Sequence, residues 1–173
     1  MRTVGELDQW KHCPRCGAAV EPEGGQVECS ECGFKAYSSS KTTASAACLD
    51  AEGRVMLSRR AIEPEKGKWD FPGGFLEEEE HPLDCLRREL QEEAGVEIEP
   101  LDFLGVWLDK YGGDGSAATT LNLYWTARIV SGTPEPADDV AELRWLAPDE
   151  VSEVDLAFPH TREVLSALRQ QNT

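Results

Sequence analysis

The stretch from Trp69 to Gly95 constrains this chain more than any other. A Trp-Asp-Phe-Pro-Gly-Gly loop runs directly into a segment in which Leu83, Leu86 and Leu90 recur three and four residues apart, and a glycine closes it. That spacing predicts an amphipathic helix over 82–94. Pro82 suits its first turn, where a missing N–H has no partner to lose, and Gly95 suits its stop. The leucine side must pack inward. Ahead of it, Gly73 and Gly74 permit positive φ and the close approach of another group.

The other flank of the same helix is acidic. Glu89 and Glu93 stand four residues apart and Glu89 and Glu92 three apart, so three carboxylates share one flank and repel at a cost of about 0.2–0.5 kcal/mol per exposed pair. A divalent cation would turn that cluster into an oxygen-rich site suited to magnesium or manganese. A solvated acidic face is the plainer reading of three glutamates in a chain with 33 acidic and 17 basic residues. Position beside a glycine-bared backbone, where carbonyls and carboxylates can share ions, favours the metal.

From Gly74, five residues lead to Glu80, seven more to Arg88-Glu89-Leu90, then Glu92-Glu93 and Gly95-Val96. This segment matches every fixed position of the Nudix box, and the chain resembles the Nudix superfamily over roughly residues 42–170. The resemblance implies a hydrolase that uses magnesium or manganese and attacks with water at phosphorus. Its substrate would be a nucleoside diphosphate linked to another moiety, with ADP-ribose or a related dinucleotide such as FAD or NADH foremost. The SQPWPFP-like motif that NADH pyrophosphatases carry after the box is absent. By resemblance, Glu89, Glu92 and Glu93 are metal ligands, joined by the carbonyl of Gly73, while Arg88 and Glu80 orient them. Gly74 and Glu77 lie where substrate contacts are expected. Glu93, Asp139 and Glu142 are the candidates for general base. Arg60 either packs or touches phosphate, and Trp107 and Tyr111 either stack on a base or belong to the core. His81 and Glu79 depart from common family residues, outside the required positions; His81 is expected to cap the helix.

Cys13, Cys16, Cys29 and Cys32 form two Cys-x-x-Cys hooks, a spacing that lets four thiolates converge on one tetrahedral ion, and zinc is the expected occupant. A redox pair is the bland alternative. Four sulfurs leave no place for water, so the expected role is structural. Cys48 and Cys85 lack partners at ligand spacing and are expected to be buried. The expected division is a zinc ribbon over residues 1–40 and a Nudix hydrolase domain over 41–173.

Past that boundary, TTASAACLD and GRVMLSRR read as a hairpin turning at Asp50–Gly53. Further strands are expected over 97–108, 119–130 and 142–146, separated by GGDGS and SGTPEPADD, and a closing helix over 159–170 carries Val164, Leu165 and Leu168 on one side. The fold class is α/β: an α/β/α sandwich of the Nudix type with a mixed sheet, plus the small amino-terminal ribbon.

A formal charge of −16 disfavours nucleic acid and anionic lipid as partners. A small nucleotide remains compatible if bound cations invert the charge inside a cleft. No signal-like or membrane-spanning apolar run is present, so a cytoplasmic location is expected. Family habit points to a homodimer. The competing functions are a non-catalytic nucleotide sensor, which tends to have a degraded box, and a zinc-ribbon interaction protein.

Overall fold

The structure, a computed structural model, describes residues 7–111, 118–147 and 150–171. At the amino end, β1 (Gln26–Glu28) and β2 (Lys35–Tyr37) pair antiparallel. Around them Val20, Val27, Cys13 and Cys29 make a small cluster flanked by Trp10 and Phe34. Apolar burial this limited needs a staple.

The strands that follow are β3 (Lys41–Cys48), β4 (Val55–Arg60), β5 (Trp69–Asp70) and β6 (Gly73–Phe75). Helix α1 (Pro82–Ala94) comes next, then β7 (Glu97–Lys110), β8 (Thr119–Ser131), β9 (Val140–Leu146) and α2 (Pro159–Gln171). Four strands lie in the order β6-β3-β8-β7, with β3 and β8 parallel and the other pairs antiparallel; β5, β4 and β9 form a second, antiparallel sheet. The expected GGDGS connection lies outside the described residues.

The expected hairpin forms only at its base. Asp50 accepts hydrogen bonds from the backbone N–H groups of Glu52 and Arg54 and makes the turn, and one bridge, Leu49 to Val55, closes it. Beyond that bridge β3 and β4 part into different sheets. The short strands β5 and β6 stand where the sequence predicts loop, because a glycine pair hides strand periodicity. Here β6 is tied to β3 with Gly74 opposite Ala44.

Period-two alternation makes the layers. Ala44, Ala46 and Cys48 of β3 and Met56 of β4 pack against Cys85, Leu86, Leu90 and Ala94 of α1. Ala47, Val55 and Leu57 face the opposite way, onto Val164, Leu165 and Leu168 of α2. The result is the expected α/β/α sandwich. No helix among the described residues is long and apolar enough to cross a membrane.

Helix α1 has the expected limits. His81 caps it, its Nδ1 accepting from Leu83 N at 3.2 Å, and Gly95 ends it in the left-handed region. Its inward face is rotated from the expected one: Leu83 is half-buried, and Glu93 joins Cys85, Leu86, Leu90 and Ala94 in the interior. We expect Leu86→Ala to lower unfolding free energy by about 2–5 kcal/mol, because Leu86 is fully buried and its loss leaves a cavity between helix and sheet. Denaturant unfolding checks this; a change under about 1 kcal/mol would mean that α1 is not anchored there.

Candidate active site

The site grows from the contact between β6 and α1. Strand β6 gives its sheet-facing groups to β3: Ala46 N donates to Pro72 O, and Leu76 N to Thr42 O. Alternation then turns the polar groups of Gly73 and Phe75 toward α1. Gly73 N donates to Glu93 Oε2 at 3.0 Å and Phe75 O accepts from Arg88 at 3.1 Å. Only glycine serves at either position of the pair. Gly73 has φ 142°, and a Cβ there would strike the backbone of Ala44 and Ser45; at Gly74 it would land on the Glu89 carboxylate.

At about 100° per residue, Glu93 and Glu92 point to opposite sides of Glu89. Glu93 is 7% exposed, Glu89 half-buried and Glu92 exposed. Burial pushes the Glu93 carboxyl well above the usual range; the Gly73 N–H opposes this, while the charges of Asp139, Glu89 and Asp70 add to it. Burial also raises Glu89, against the pull of Arg88. Arg88 donates to both oxygens of Glu80 at 2.8 and 2.9 Å, to Glu89 at 2.8 Å and to Glu92 at 3.0 Å. That pairing, with the Glu77 N–H, brings Glu80 down to about 2. Glu89 and Glu92 lean on this arginine and Glu93 on the Gly73 N–H, so the three helix carboxylates do not meet at one point. Among the described residues the four cysteines are the one His/Cys/Asp/Glu group whose ligand atoms all lie within 4.8 Å of one another.

The SGTPEPADD loop is fastened to the end of α1. Glu135 N donates to Ala94 O and Ala137 N to Glu93 O, satisfying carbonyls that the helix end leaves free. Asp139 is thereby carried to the glutamates, within a cavity of about 330 Å³.

Of the other expected site residues, Arg60, Gly73, Gly74, Glu77, Arg88, Glu89, Glu93, Tyr111 and Asp139 line that cavity. Three do not. Glu92 lies outside it, against Arg88. Glu142 is held on β9 by Arg59 at 3.2 Å and Arg144 at 2.9 Å, away from the cavity lining. Trp107 packs edge-on against Tyr124, ring centroids 5.5 Å apart, in the α2-side core; alternation along β7 turns it inward.

Asp70, Asp109, Tyr124, Phe158 and His160 also line the cavity, and sequence reading missed them. Trp69 N donates to Asp155 O and Ala157 N to Trp69 O, which draws the start of α2 against β5. Asp70 then accepts from Phe71 N and from the Thr161 hydroxyl. His160 and Asp109 lie 51 residues apart in sequence, so no local pattern links them.

At the amino end, Cys13 Sγ lies 3.6 Å from Cys32 Sγ and Cys16 Sγ 3.6 Å from Cys29 Sγ, too far for disulfides. The two hooks turn alike: Gly17 N donates to Cys13 O and Gly33 N to Cys29 O, each at 2.9 Å. Burial works against the Cys13 thiolate, but the N–H groups of Cys16 and Arg15 and the nearby thiols bring it down to about 7. At Cys16 the Ala18 N–H favours the thiolate, yet the thiols of Cys32 and Cys29 push it up to about 12. Cys48 and Cys85 are buried, as expected.

A NUDIX domain model matches residues 40–168, and the chain belongs to that family. Fold and site define it as a Nudix pyrophosphohydrolase. It is 32% identical to a MutT-like protein of Streptomyces ambofaciens over 64% of this chain and 75% of that one. It is 26% identical to an NAD-capped RNA hydrolase of Pseudomonas aeruginosa over 80% of this chain, but spans only 48% of that protein. A solved NUDIX hydrolase from Nitrosomonas europaea superposes with a TM-score of 0.77 at 25% identity, covering 94% of this chain and 93% of its own.

The glycine pair separates fold from activity. Gly74→Ala meets only the end of a mobile side chain, so we expect near-normal melting but displaced Glu89 and turnover reduced about 100-fold. Gly73→Ala meets backbone and should lose about 1–3 kcal/mol of stability. Thermal melting and initial rates on both variants check the contrast.

Proposed function

We propose that this chain splits the pyrophosphate link of a nucleoside diphosphate joined to a second organic group, with ADP-ribose and related dinucleotides as its substrates. One observation carries the reading: the cavity is lined by seven carboxyl residues against Arg60, Arg88 and Lys110. A pyrophosphate entering so negative a space needs divalent cations with it. The donors fit magnesium or manganese, since they are hard oxygens on a helix flank and at a strand edge.

Glu89, Glu92, Glu93 and the Gly73 carbonyl would hold the cation. When bound, it neutralises phosphate oxygens and lowers the pKa of the attacking water. Arg88 fixes the carboxylates from behind. Asp139 is the acid we assign to take the water's proton, since it shares the cavity with Glu89 and Glu93 while Glu142 is committed to two arginines. The relative named for NAD-capped RNA supports a pyrophosphate that joins a nucleoside to a second organic group.

Rates with ADP-ribose, NADH, FAD, dinucleoside polyphosphates and nucleoside triphosphates, in magnesium or manganese, test substrate and cleavage position together. We expect Glu92→Gln and Glu93→Gln each to lower turnover on the accepted substrate at least about 100-fold with the fold intact. Unchanged turnover in both would refute the ligand assignment.

The four cysteines are proposed to hold one zinc ion in a structural role. A Zn–S bond of about 2.3 Å sets tetrahedral sulfurs roughly 3.8 Å apart, close to the 3.6 Å separations of the two cross-hook pairs. Cys13→Ser should lose zinc by elemental analysis and make the amino-terminal segment more sensitive to protease. Full zinc content with unaltered proteolysis would contradict this.

A further inference from the structure

His160 lines the cavity with both ring nitrogens engaged. Nδ1 lies 2.7 Å from Asp109 Oδ2, and Nε2 lies 2.8 Å from the Tyr124 hydroxyl. A carboxylate only accepts, so Nδ1 carries a hydrogen toward Asp109, and the hydrogen bond between Nε2 and the Tyr124 hydroxyl engages the other nitrogen, as acceptor or as donor. The second oxygen of Asp109 accepts from Lys110 N at 2.7 Å. The imidazole therefore has no free lone pair for a cation and no free proton for a substrate. What it brings to the cavity wall is an aromatic ring in a fixed orientation.

Two further rings stand near-parallel to it. Phe158 lies beside His160, ring centroids 5.8 Å apart and planes 19° from parallel; Tyr111 lies beyond Phe158 at 6.0 Å and 27°. All three line the cavity. The row is fixed at both ends, by Asp109 and Tyr124 on His160 and by Phe75, edge-on at 5.2 Å, on Tyr111. The Arg60 guanidinium lies 5.3 Å from the Phe158 ring centre and donates to the Pro64 carbonyl at 2.7 Å.

We propose that Tyr111, Phe158 and His160, with Arg60, form the platform on which the nucleobase of the substrate stacks, and that the Asp109–His160–Tyr124 chain holds the platform in place. This deepens the hydrolase reading and rests on it for the cavity's role. Flat π-faces and a guanidinium plane suit a heteroaromatic ring. Side chains already immobilised lose little rotamer entropy when a ligand settles on them.

The test is calorimetric titration of AMP, GMP, CMP and ribose 5-phosphate, with magnesium, into the full chain and its variants. We expect the best of the three nucleotides to bind at least about tenfold more tightly than ribose 5-phosphate. Phe158→Ala should remove that margin and leave ribose 5-phosphate binding unchanged. Tyr124→Phe keeps every ring but releases Nε2, and should narrow the margin about threefold. If Phe158→Ala does not melt cooperatively, Phe158→Leu, which keeps bulk without a π-face, should lose the margin in its place. Equal binding of nucleotides and ribose 5-phosphate by the natural chain overturns the proposal, as does a Phe158 variant that weakens all four ligands alike. Turnover of the pyrophosphate panel separates the two readings. None by the natural chain while the margin stands sinks the hydrolase assignment alone; turnover that Glu92→Gln abolishes, with no margin in the natural chain, sinks the platform alone.

Discussion

The hydrogen bond from Gly73 N to Glu93 Oε2 is the contact on which the site depends. A carboxyl group taken out of water on an otherwise apolar helix face is costly unless something compensates it. Here the compensation is a backbone N–H that β6 has free only because alternation turns Gly73 away from β3. Gly74 is opposite Ala44 in the same register and leaves room for Glu89 behind it. Strand register, the glycine pair and the phase of α1 are therefore one constraint: a slip of one residue would bury the wrong groups of β6 and put Glu93 against a sheet-bonded amide.

Two long connections complete the cavity by similar means. The β8–β9 loop is held to α1 through its Glu135 and Ala137 N–H groups, which donate to the carbonyls of Ala94 and Glu93, so the acid it carries arrives at the end of the same helix. The start of α2 is held to Trp69 from both sides, so Asp70 and His160 face one space although they come from elements far apart in the chain. In each case backbone groups at the end of a regular element, left without internal partners, fix a loop that bears side chains facing the cavity.

What was legible in the sequence follows from how local each signal is. The limits of α1, the cap at His81, the four-cysteine grouping and the leucines of α2 all rest on residues within a few turns of one another. The division of β3 and β4 into different sheets was not legible, because the turn at Asp50 has hairpin chemistry and only the partners β8, β6, β5 and β9 pull the strands apart. The sequence places Glu93 with Glu89 and Glu92 on one acidic flank beside the glycine pair, but its burial was not legible, since it depends on a backbone amide twenty residues earlier. From sequence, Trp107 is open to either a base or the core and Glu142 is a candidate base; strand alternation turns the first into the core and two arginines claim the second. The His160 network could not be found at all: a lone histidine at a helix start carries no pattern until Asp109 and Tyr124 are beside it.

The acids of the cavity divide into two groups, and that division gives it direction. On the far wall, Asp109 accepts from Lys110 N and His160, and Asp70, although raised by its burial, accepts from Phe71 N and Thr161; each meets fixed donors of the protein. At the α1 end, Glu89 and Glu93 are raised by burial, with Asp139 adding to both, Glu92 to the first and Glu89 to the second. The excess negative charge is thus concentrated where β6 presents its free backbone edge. A cation entering the cavity is drawn to that end, and an anionic bridge between two organic groups would follow it there. Its remaining organic part would extend toward a wall whose own charges are already satisfied and whose exposed chemistry is aromatic. In a chain of net charge −16, this local imbalance inside the cavity, and not the field of the whole surface, is what reconciles an acidic protein with a phosphate-bearing ligand.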